Sequence, residues 1–260
     1  MVFQLLILVE CLTGKYLRIM CSRILGWFGG TFLLIILVCG CSIDDDSPQM
    51  SVHTASFDFN QSYEGWQADF ADLPSGADDS SFYELKFAYT ALPANLGNRR
   101  ALMLSGNNHS DDLFMFLKTK ITGLMPNTSY NIFFEVELAS NAPENSVGAG
   151  GSPGKSVFLK AGASSIEPQK TVESNRYVLN IDKGTQSTGG ANAIVIGDIA
   201  IPSSSTDYTL ITRNNASDPY FIGRTNGAGE LWIIIGTDSG FEGITTVYYT
   251  KVNIVFSAPY

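Results

Sequence analysis

The amino-acid sequence predicts an all-β fold with one long central strand. Between residues 129 and 139 every second side chain is apolar, and this period of two is typical of a strand with one buried face. The members of the row are Tyr130, Ile132, Phe134, Val136 and Leu138. No window shows an apolar period of 3.6 with capping residues at both ends. Many short strands separated by Gly, Asn and Ser favour a sandwich or a barrel.

Further strands are expected on both sides of this one. The alternating or continuous apolar runs cover residues 56–60, 83–89, 100–105, 113–121, 156–161, 176–181, 193–199, 208–212, 231–237 and 245–256. Residues 231–235 are apolar on both faces, so we expect them in the middle of a sheet that is covered on both sides. We expect the last strand to pair beside them. Its candidate inward residues are Tyr248, Val252, Ile254 and Phe256.

The first 40 residues are interpreted as a secretory signal peptide. Arg23 precedes a continuous apolar run at residues 32–38, and small residues follow it. This order is typical of exported proteins, and the run is shorter than a membrane-spanning helix needs. Residues 1–19 add a second apolar run that contains Glu10, so Met20 is a more ordinary start than Met1.

A lipid anchor is expected at the end of this leader. Val38-Cys39-Gly40-Cys41 resembles a bacterial lipobox, which implies that Cys41 is lipidated and becomes the mature N-terminus. An ordinary signal peptide or an N-terminal membrane anchor is the alternative. Residues 41–54 are polar and acidic and are expected to form a disordered tether. Acidic residues directly after the cysteine resemble the export signal of surface lipoproteins in the Bacteroidota. This implies lipid anchoring in the outer membrane and display at the cell surface, with the periplasmic face as the alternative.

Composition limits the partners. The formal net charge is −9, and removal of the leader, with its three basic residues and one acidic residue, makes it about −11. Such a charge disfavours nucleic acid and anionic lipid as partners, so membrane contact is expected only through the N-terminal lipid. All four cysteines precede residue 42. The folded region, expected to be one monomeric domain at residues 55–260, therefore relies on its core rather than on disulfides.

Three phrases of the sequence resemble jelly-roll carbohydrate-binding modules. They are the opening 57–59 with Gly65-Trp66, the middle phrase Gly-Leu-Met-Pro-Asn-Thr-Ser-Tyr at 123–130 and the aromatic-rich closing strand at 247–254. The resemblance implies a galactose-binding-like jelly-roll β-sandwich of two antiparallel sheets. It implies this fold more strongly than it implies sugar binding.

The loop at residues 107–112 is the first candidate ligand site. It gathers Asn107, Asn108, His109, Asp111 and Asp112. Amide and carboxylate groups bind sugar hydroxyls and also provide oxygen ligands for calcium. The same side chains can instead satisfy their own backbone in a solvated turn, and both interpretations stay open here.

Aromatic and acidic side chains on the second faces of three strands are the next candidates. They are Phe114 and Phe116 on one strand, Phe133, Glu135 and Glu137 on another, and Phe158 and Lys160 on a third. If these faces lie together on a concave sheet, they suit ring stacking and hydrogen bonding to a sugar. The alternative is that the rings pack under loops as a secondary core.

The jelly-roll resemblance also implies a structural calcium ion (Ca²⁺). By that similarity its candidate ligands are Asp58, Asp238 and Glu242, and their spacing is not that of an EF-hand. The alternative is a hairpin turn at residues 238–243 that needs its two glycines.

Residues 149–156 resemble a phosphate-binding loop. A strand rather than a helix is expected to follow, so a glycine-rich loop is the favoured interpretation.

Export, anchoring, acidity and the resemblance together favour a non-catalytic, lipid-anchored surface protein that binds carbohydrate. The first alternative is a structural or adhesin-like lipoprotein that contacts other envelope proteins. The second is a glycoside hydrolase or lyase, because such enzymes use two acids at a separation that sequence does not show. His53 and His109 are not accompanied by a nucleophile motif, so a hydrolytic triad is not expected.

Overall fold

The computed structural model describes residues 51–76, 81–217 and 220–258. The predicted signal peptide, Cys41 and most of the tether lie outside these residues. In the described part no helix is long and apolar enough to span a membrane, and Ala94–Leu96 forms a short 3₁₀ helix. The strands in chain order are β1 (Val52–Asp58), β2 (Gln67–Ala71), β3 (Leu73–Pro74), β4 (Lys86–Ala91), β5 (Arg100–Asn107), β6 (Leu113–Ile121), β7 (Ser129–Ser140), β8 (Ala142–Pro143), β9 (Val157–Ser164), β10 (Lys170–Glu173), β11 (Arg176–Leu179), β12 (Ala193–Asp198), β13 (Ala200–Ile201), β14 (Thr209–Asn214), β15 (Phe221–Arg224), β16 (Leu231–Ser239) and β17 (Ile244–Ser257).

Two antiparallel sheets form the body of the fold. Sheet I has the order β14-β7-β17-β5-β4, with β1 also paired to β17 and β15 to β7. Sheet II has the order β12-β9-β16-β6-β2. Apolar side chains of both sheets meet in one core, among them Phe134 and Leu138 from β7 and Leu117 and Ile235 from sheet II. The predicted all-β jelly-roll sandwich is therefore confirmed, because each alternating strand gives one apolar row to this core.

The two strands expected to be central are central. Strand β7 pairs with β17 along one edge and with β14 and β15 along the other, and its inward row from Tyr130 to Leu138 is buried. Strand β16 lies between β6 and β9. Ile234 on its second face is also buried, so the prediction that this strand is covered on both sides is confirmed.

The last strand does not pair beside β16 as expected. Strand β17 lies in sheet I, paired with β1, β5 and β7, because the turn after Ser239 carries the chain from one sheet to the other. The expected inward row is also wrong at Tyr248. A bulge between Tyr249 and Lys251 shifts the alternation, so Tyr249 enters the core and Tyr248 packs on Tyr208 outside it.

The first described strand begins before the residue at which we expected the folded region to start. Strand β1 starts at Val52 rather than near Ala55. Residues 52–54 pair in register with the end of β17. The long closing strand thus provides backbone hydrogen-bond partners for residues 52–54, whose composition alone predicts a disordered tether.

The connection between β9 and β12, residues 165–192, covers the outer face of sheet II and is called the cover segment below. It contains the β10–β11 hairpin, which pairs with β3. Leu179 and Ile181 of the cover segment join Phe114, Phe116 and Ile234 in a small second core. Sheet II is thus buried on both faces, which explains the apolar character of β16 on both sides.

Candidate functional site

A cavity of about 490 Å³ lies beside the cover segment. Asp72 follows β2, whereas Asp111 and Asp112 precede β6. Because β2 and β6 are antiparallel neighbours, the end of one strand and the start of the other meet, which brings these acids together. The cover segment supplies the rest of the lining, which is Val178, Leu179, Ile181, Asp182, Lys183, Gly184, Thr185 and Gln186.

Two lysines connect the cover segment to sheet II. Lys160 of β9 donates hydrogen bonds from Nζ to the carbonyl oxygens of Lys183 (3.0 Å), Thr188 (3.1 Å) and Thr185. Lys183 comes from the cover segment, and its Nζ lies 2.7 Å from Asp72 Oδ2 and 2.6 Å from Asp238 Oδ2. Lys160 of sheet II therefore binds carbonyl groups of the cover segment, and Lys183 of the cover segment binds Asp238 of sheet II.

Strand register explains why Asp238 lies between these lysines. In sheet II, Asp238 of β16 is opposite Phe114 of β6 and Phe158 of β9, so its side chain points to the covered face. Asp238 is 0% exposed and Lys160 is 1% exposed. Charges buried so deeply require partners, and the two ammonium groups supply them to Asp238.

The buried cluster holds more acids than bases. Carboxylate oxygens of Asp72, Asp112 and Asp238 lie within 4.8 Å of one another. Burial, together with repulsion from Asp72 and Asp238, raises the pKa of Asp112 to about 7, and burial also raises the pKa of Asp72. Asp112 Oδ1 and Asp238 Oδ1 are buried and accept no hydrogen bond from the described residues. A proton on Asp112 supplies the missing donor below about pH 7.

The three carboxylates are close enough to hold a metal ion, but an ammonium group already lies among them. Burial opposes the charge of Lys183, yet the attraction of Asp238 and Asp72 outweighs burial and raises its pKa. Calcium takes about six to eight oxygen ligands, so Lys183 would have to leave two of the three acids for the ion to enter. The side chains present fit a lysine-bridged cluster rather than a calcium site.

The loop at residues 107–112 divides between a structural role and the cavity. Asn108 is buried, and its amide donates to the carbonyl oxygens of Ser239 and Phe241. Asn107 donates to Glu84, and His109 stacks on the exposed ring of Phe82 with 3.9 Å between centroids. Of this loop, Asp111 and Asp112 line the cavity. The ligand-binding interpretation thus stays a prediction for Asp111 and Asp112, whereas Asn107, Asn108 and His109 make contacts within the fold.

The aromatic and acidic strand faces do not share one surface. Phe114 and Phe116 of β6 are buried under the cover segment, on the same face as Phe158 and Lys160. They form a secondary core, stacked 5.3 Å apart. The second group lies on β7 in sheet I, because the turn after β6 carries the chain to the other sheet.

In sheet I the second group serves cross-strand pairing. Glu137 forms an ion pair with Arg99 at 3.1 Å, and Glu135 accepts a hydrogen bond from Asn253 at 2.9 Å. Phe133 is opposite Val255 on β17. None of the three lines the cavity.

The residues proposed for calcium do not form one group. Asp58 lies on β1 of sheet I and accepts a hydrogen bond from the backbone N–H of Asn60. Glu242 lies in the turn after β16, close to Gly150. Asp238 is instead buried with Asp72 and Asp112.

The glycine-rich stretch at residues 149–156 leads into strand β9 and not into a helix, as expected.

Sequence reasoning missed the residues that the cover segment contributes. Lys183, Asp182 and Gln186 lie in a polar stretch without alternation, so no pattern relates them to β16. A partial signal does exist in β9 and β16. Lys160 and Asp238 occupy the second face of strands that are apolar on both sides, and charges on a covered face must be paired.

Comparisons with known proteins give no family. No protein-family model matches the chain, and no curated protein matches its sequence. One similar solved structure is the K1 cleaved adhesin domain of Lys-gingipain from Porphyromonas gingivalis, with 12% identity, coverage of 78% of this chain and 97% of that chain, and a TM-score of 0.37.

Two further solved structures show similarity of the same order. A carbohydrate-binding module described as recognising mannan has 12% identity, coverage of 79% and 98%, and a TM-score of 0.34. A sugar-binding protein, so described provisionally, from Bacteroides thetaiotaomicron has 9% identity, coverage of 72% and 86%, and a TM-score of 0.36. At such scores the assignment of the fold rests on the strands and sheets of this chain itself.

Proposed function

We propose that this chain is a non-catalytic, lipid-anchored cell-surface protein that binds carbohydrate in the cavity beside the cover segment. The observation that carries the proposal is the mixed lining of that cavity. Carboxylate, hydroxyl and amide groups converge there beside the aliphatic side chains of Val178, Leu179 and Ile181. A sugar offers hydroxyl groups and apolar C–H faces, so it suits both kinds of lining. The volume of about 490 Å³ lies in the range of small-molecule sites.

A glycan array tests this proposal with the full chain in mild detergent. The Asp111→Asn variant removes one carboxylate from the lining, and asparagine tolerates the positive φ of 61° at this position. The control is Asp207→Asn, an exposed residue outside the lining. We expect specific retention that Asp111→Asn weakens by about tenfold, as for a lost charged hydrogen bond, and that Asp207→Asn leaves unchanged. Retention of no glycan would overturn the proposal.

Calcium is not part of the proposal, since Lys183 already bridges Asp72 and Asp238. Binding is therefore expected to be the same in EDTA. Enzymatic turnover is not part of it either. Turnover of a glycan that is lost in Glu135→Gln or Glu137→Gln would favour the hydrolase or lyase alternative.

One observation favours the protein-contacting alternative. Tyr220 and Ile222 are 76% and 62% exposed, and Ile222 lies on β15, which among the described strands pairs with β7 alone. An apolar strand with an open edge suits strand addition by another envelope protein. Crosslinking in intact cells tests it: a specific partner that is lost in Ile222→Lys, in a protein that retains no glycan, would support this second function.

A further inference from the structure

We propose that the cavity prefers glycans that carry a free, protonated amino group over neutral or acidic glycans of the same linkage. This inference rests on the proposed function, because it names the class of carbohydrate that the same cavity takes.

The charges around the cavity leave an excess of acid. Lys160 and Lys183 are balanced by Asp72 and Asp238 through ion pairs of 2.6–3.0 Å. Asp111 and Asp182 then remain on the lining, where Lys183 is the one basic side chain among the described lining residues.

Backbone hydrogen bonds stabilise the charge of one of these acids. The carboxylate of Asp182 accepts backbone N–H bonds from Gly184 and Ala191, which lower its pKa. The side chain of Asp111 is exposed. An ammonium group therefore meets opposite charge in the cavity, whereas a uronic acid meets like charge without a free cation to pair with.

The lining also favours an amine by its hydrogen-bonding groups. The carboxylates of Asp111 and Asp182 lie on the lining, and an ionised carboxylate offers only acceptors. A protonated amine brings three N–H donors and a positive charge, whereas a hydroxyl brings one donor and no charge.

Three β-1,4-linked glucose-type tetrasaccharides, which differ only in the group at carbon 2, test the preference. That group is a free amine, an acetamide or a hydroxyl. Titration calorimetry at about pH 5, low enough to protonate the weakly basic amine of such a sugar, compares their affinities for the full chain in detergent. We expect the amine form to bind at least about tenfold more tightly than either of the others.

The matched variants separate a site from general attraction to an acidic protein. Asp111→Asn and Asp207→Asn each remove one negative charge, but Asp111 alone lines the cavity. We expect Asp111→Asn to remove most of the preference and Asp207→Asn to leave it intact. An equal loss in both variants would assign the preference to surface charge and overturn the inference.

The remaining outcomes of the titration and of the glycan array also support or overturn the inference. Equal affinity for the three sugars, or tighter binding of the acetamide or hydroxyl form, overturns the preference and leaves carbohydrate binding standing. If none of the three binds, the glycan array decides: retained glycans with free amines support the inference, and retained glycans without them overturn it. Retention of no glycan at all overturns this inference together with the proposed function.

Discussion

Lys160 Nζ and Lys183 Nζ meet at a single acceptor, Asp238 Oδ2, at 3.0 Å and 2.6 Å. The first lysine belongs to sheet II and the second to the cover segment. The acceptor is buried on the face between them. The cover segment therefore both buries these charges and completes their pairing, which fixes the wall of the cavity.

Removing one of these lysines should strongly lower the free energy of unfolding. Lys183→Met leaves Asp72 without its ion pair and Asp238 with Lys160 alone. We expect the free energy of unfolding in urea to fall by about 3–5 kcal/mol, as for a broken buried pair. The control is Lys155→Met, which breaks an exposed pair with Asp198 at 3.2 Å and should cost less than about 1 kcal/mol. Equal unfolding midpoints for the two variants would contradict the role given to Lys183.

Stability should fall as the pH rises from about 4 to about 7 because of Asp112. Its pKa is raised from 3.8 to about 7 in the fold, so the folded protein holds a proton that the unfolded chain has released. This contribution is fully present below the unfolded pKa and is lost as the pH rises through the folded one. Urea unfolding at a series of pH values measures the slope.

The Asp112→Asn variant is the control for this slope. Its amide keeps the shape of the side chain and can donate to Asp238, but it does not titrate. We expect a flatter dependence on pH, with the remaining slope due to Asp72, whose pKa is also raised. An unchanged slope in the variant would show that another group is responsible.

Gly236 should be intolerant of a side chain. It lies on β16 opposite Phe116 and Lys160, and an added Cβ would lie 2.6 Å from the carbonyl oxygen of Met115. We expect Gly236→Ala to lower the free energy of unfolding by about 1–3 kcal/mol. At Gly227 an added Cβ meets nothing nearer than 4.0 Å, so Gly227→Ala should unfold at the urea concentration of the unchanged protein. Equal midpoints for the two would mean that sheet II adjusts freely at this position.

The anchor is testable independently of the fold. Multiple acyl chains on Cys41 would hold the protein durably on a membrane, whereas one chain gives marginal attachment. We expect Cys41→Ser to move the protein from the membrane fraction to the soluble fraction, with Cys39→Ser as the matched control that stays membrane-bound. Unchanged retention of the Cys41→Ser protein would point to an N-terminal membrane anchor instead.

The sequence by itself determined the all-β class, the central positions of β7 and β16 and most strand segments. Those features follow from the period of two and from local turn residues, which act over a few positions. Other features were missed. The bulge near Tyr249 shifted the alternation, and the turn after Ser239 changed sheets. The short strands β2, β3, β8, β10, β13 and β15 give too few positions to show a pattern.

The sequence named Asp111, Asp112, Lys160 and Asp238 as separate candidates, and tertiary structure decided which residues share a site. Asp72, Lys160, Lys183 and Asp238 are far apart in the chain, and they meet because strand register orients two of them and the cover segment folds back over sheet II. Aromatic residues that suggested a binding surface became a buried second core for the same reason. Which charges are buried depends on what lies on top of a sheet face, and residue spacing along one strand carries no information about that layer.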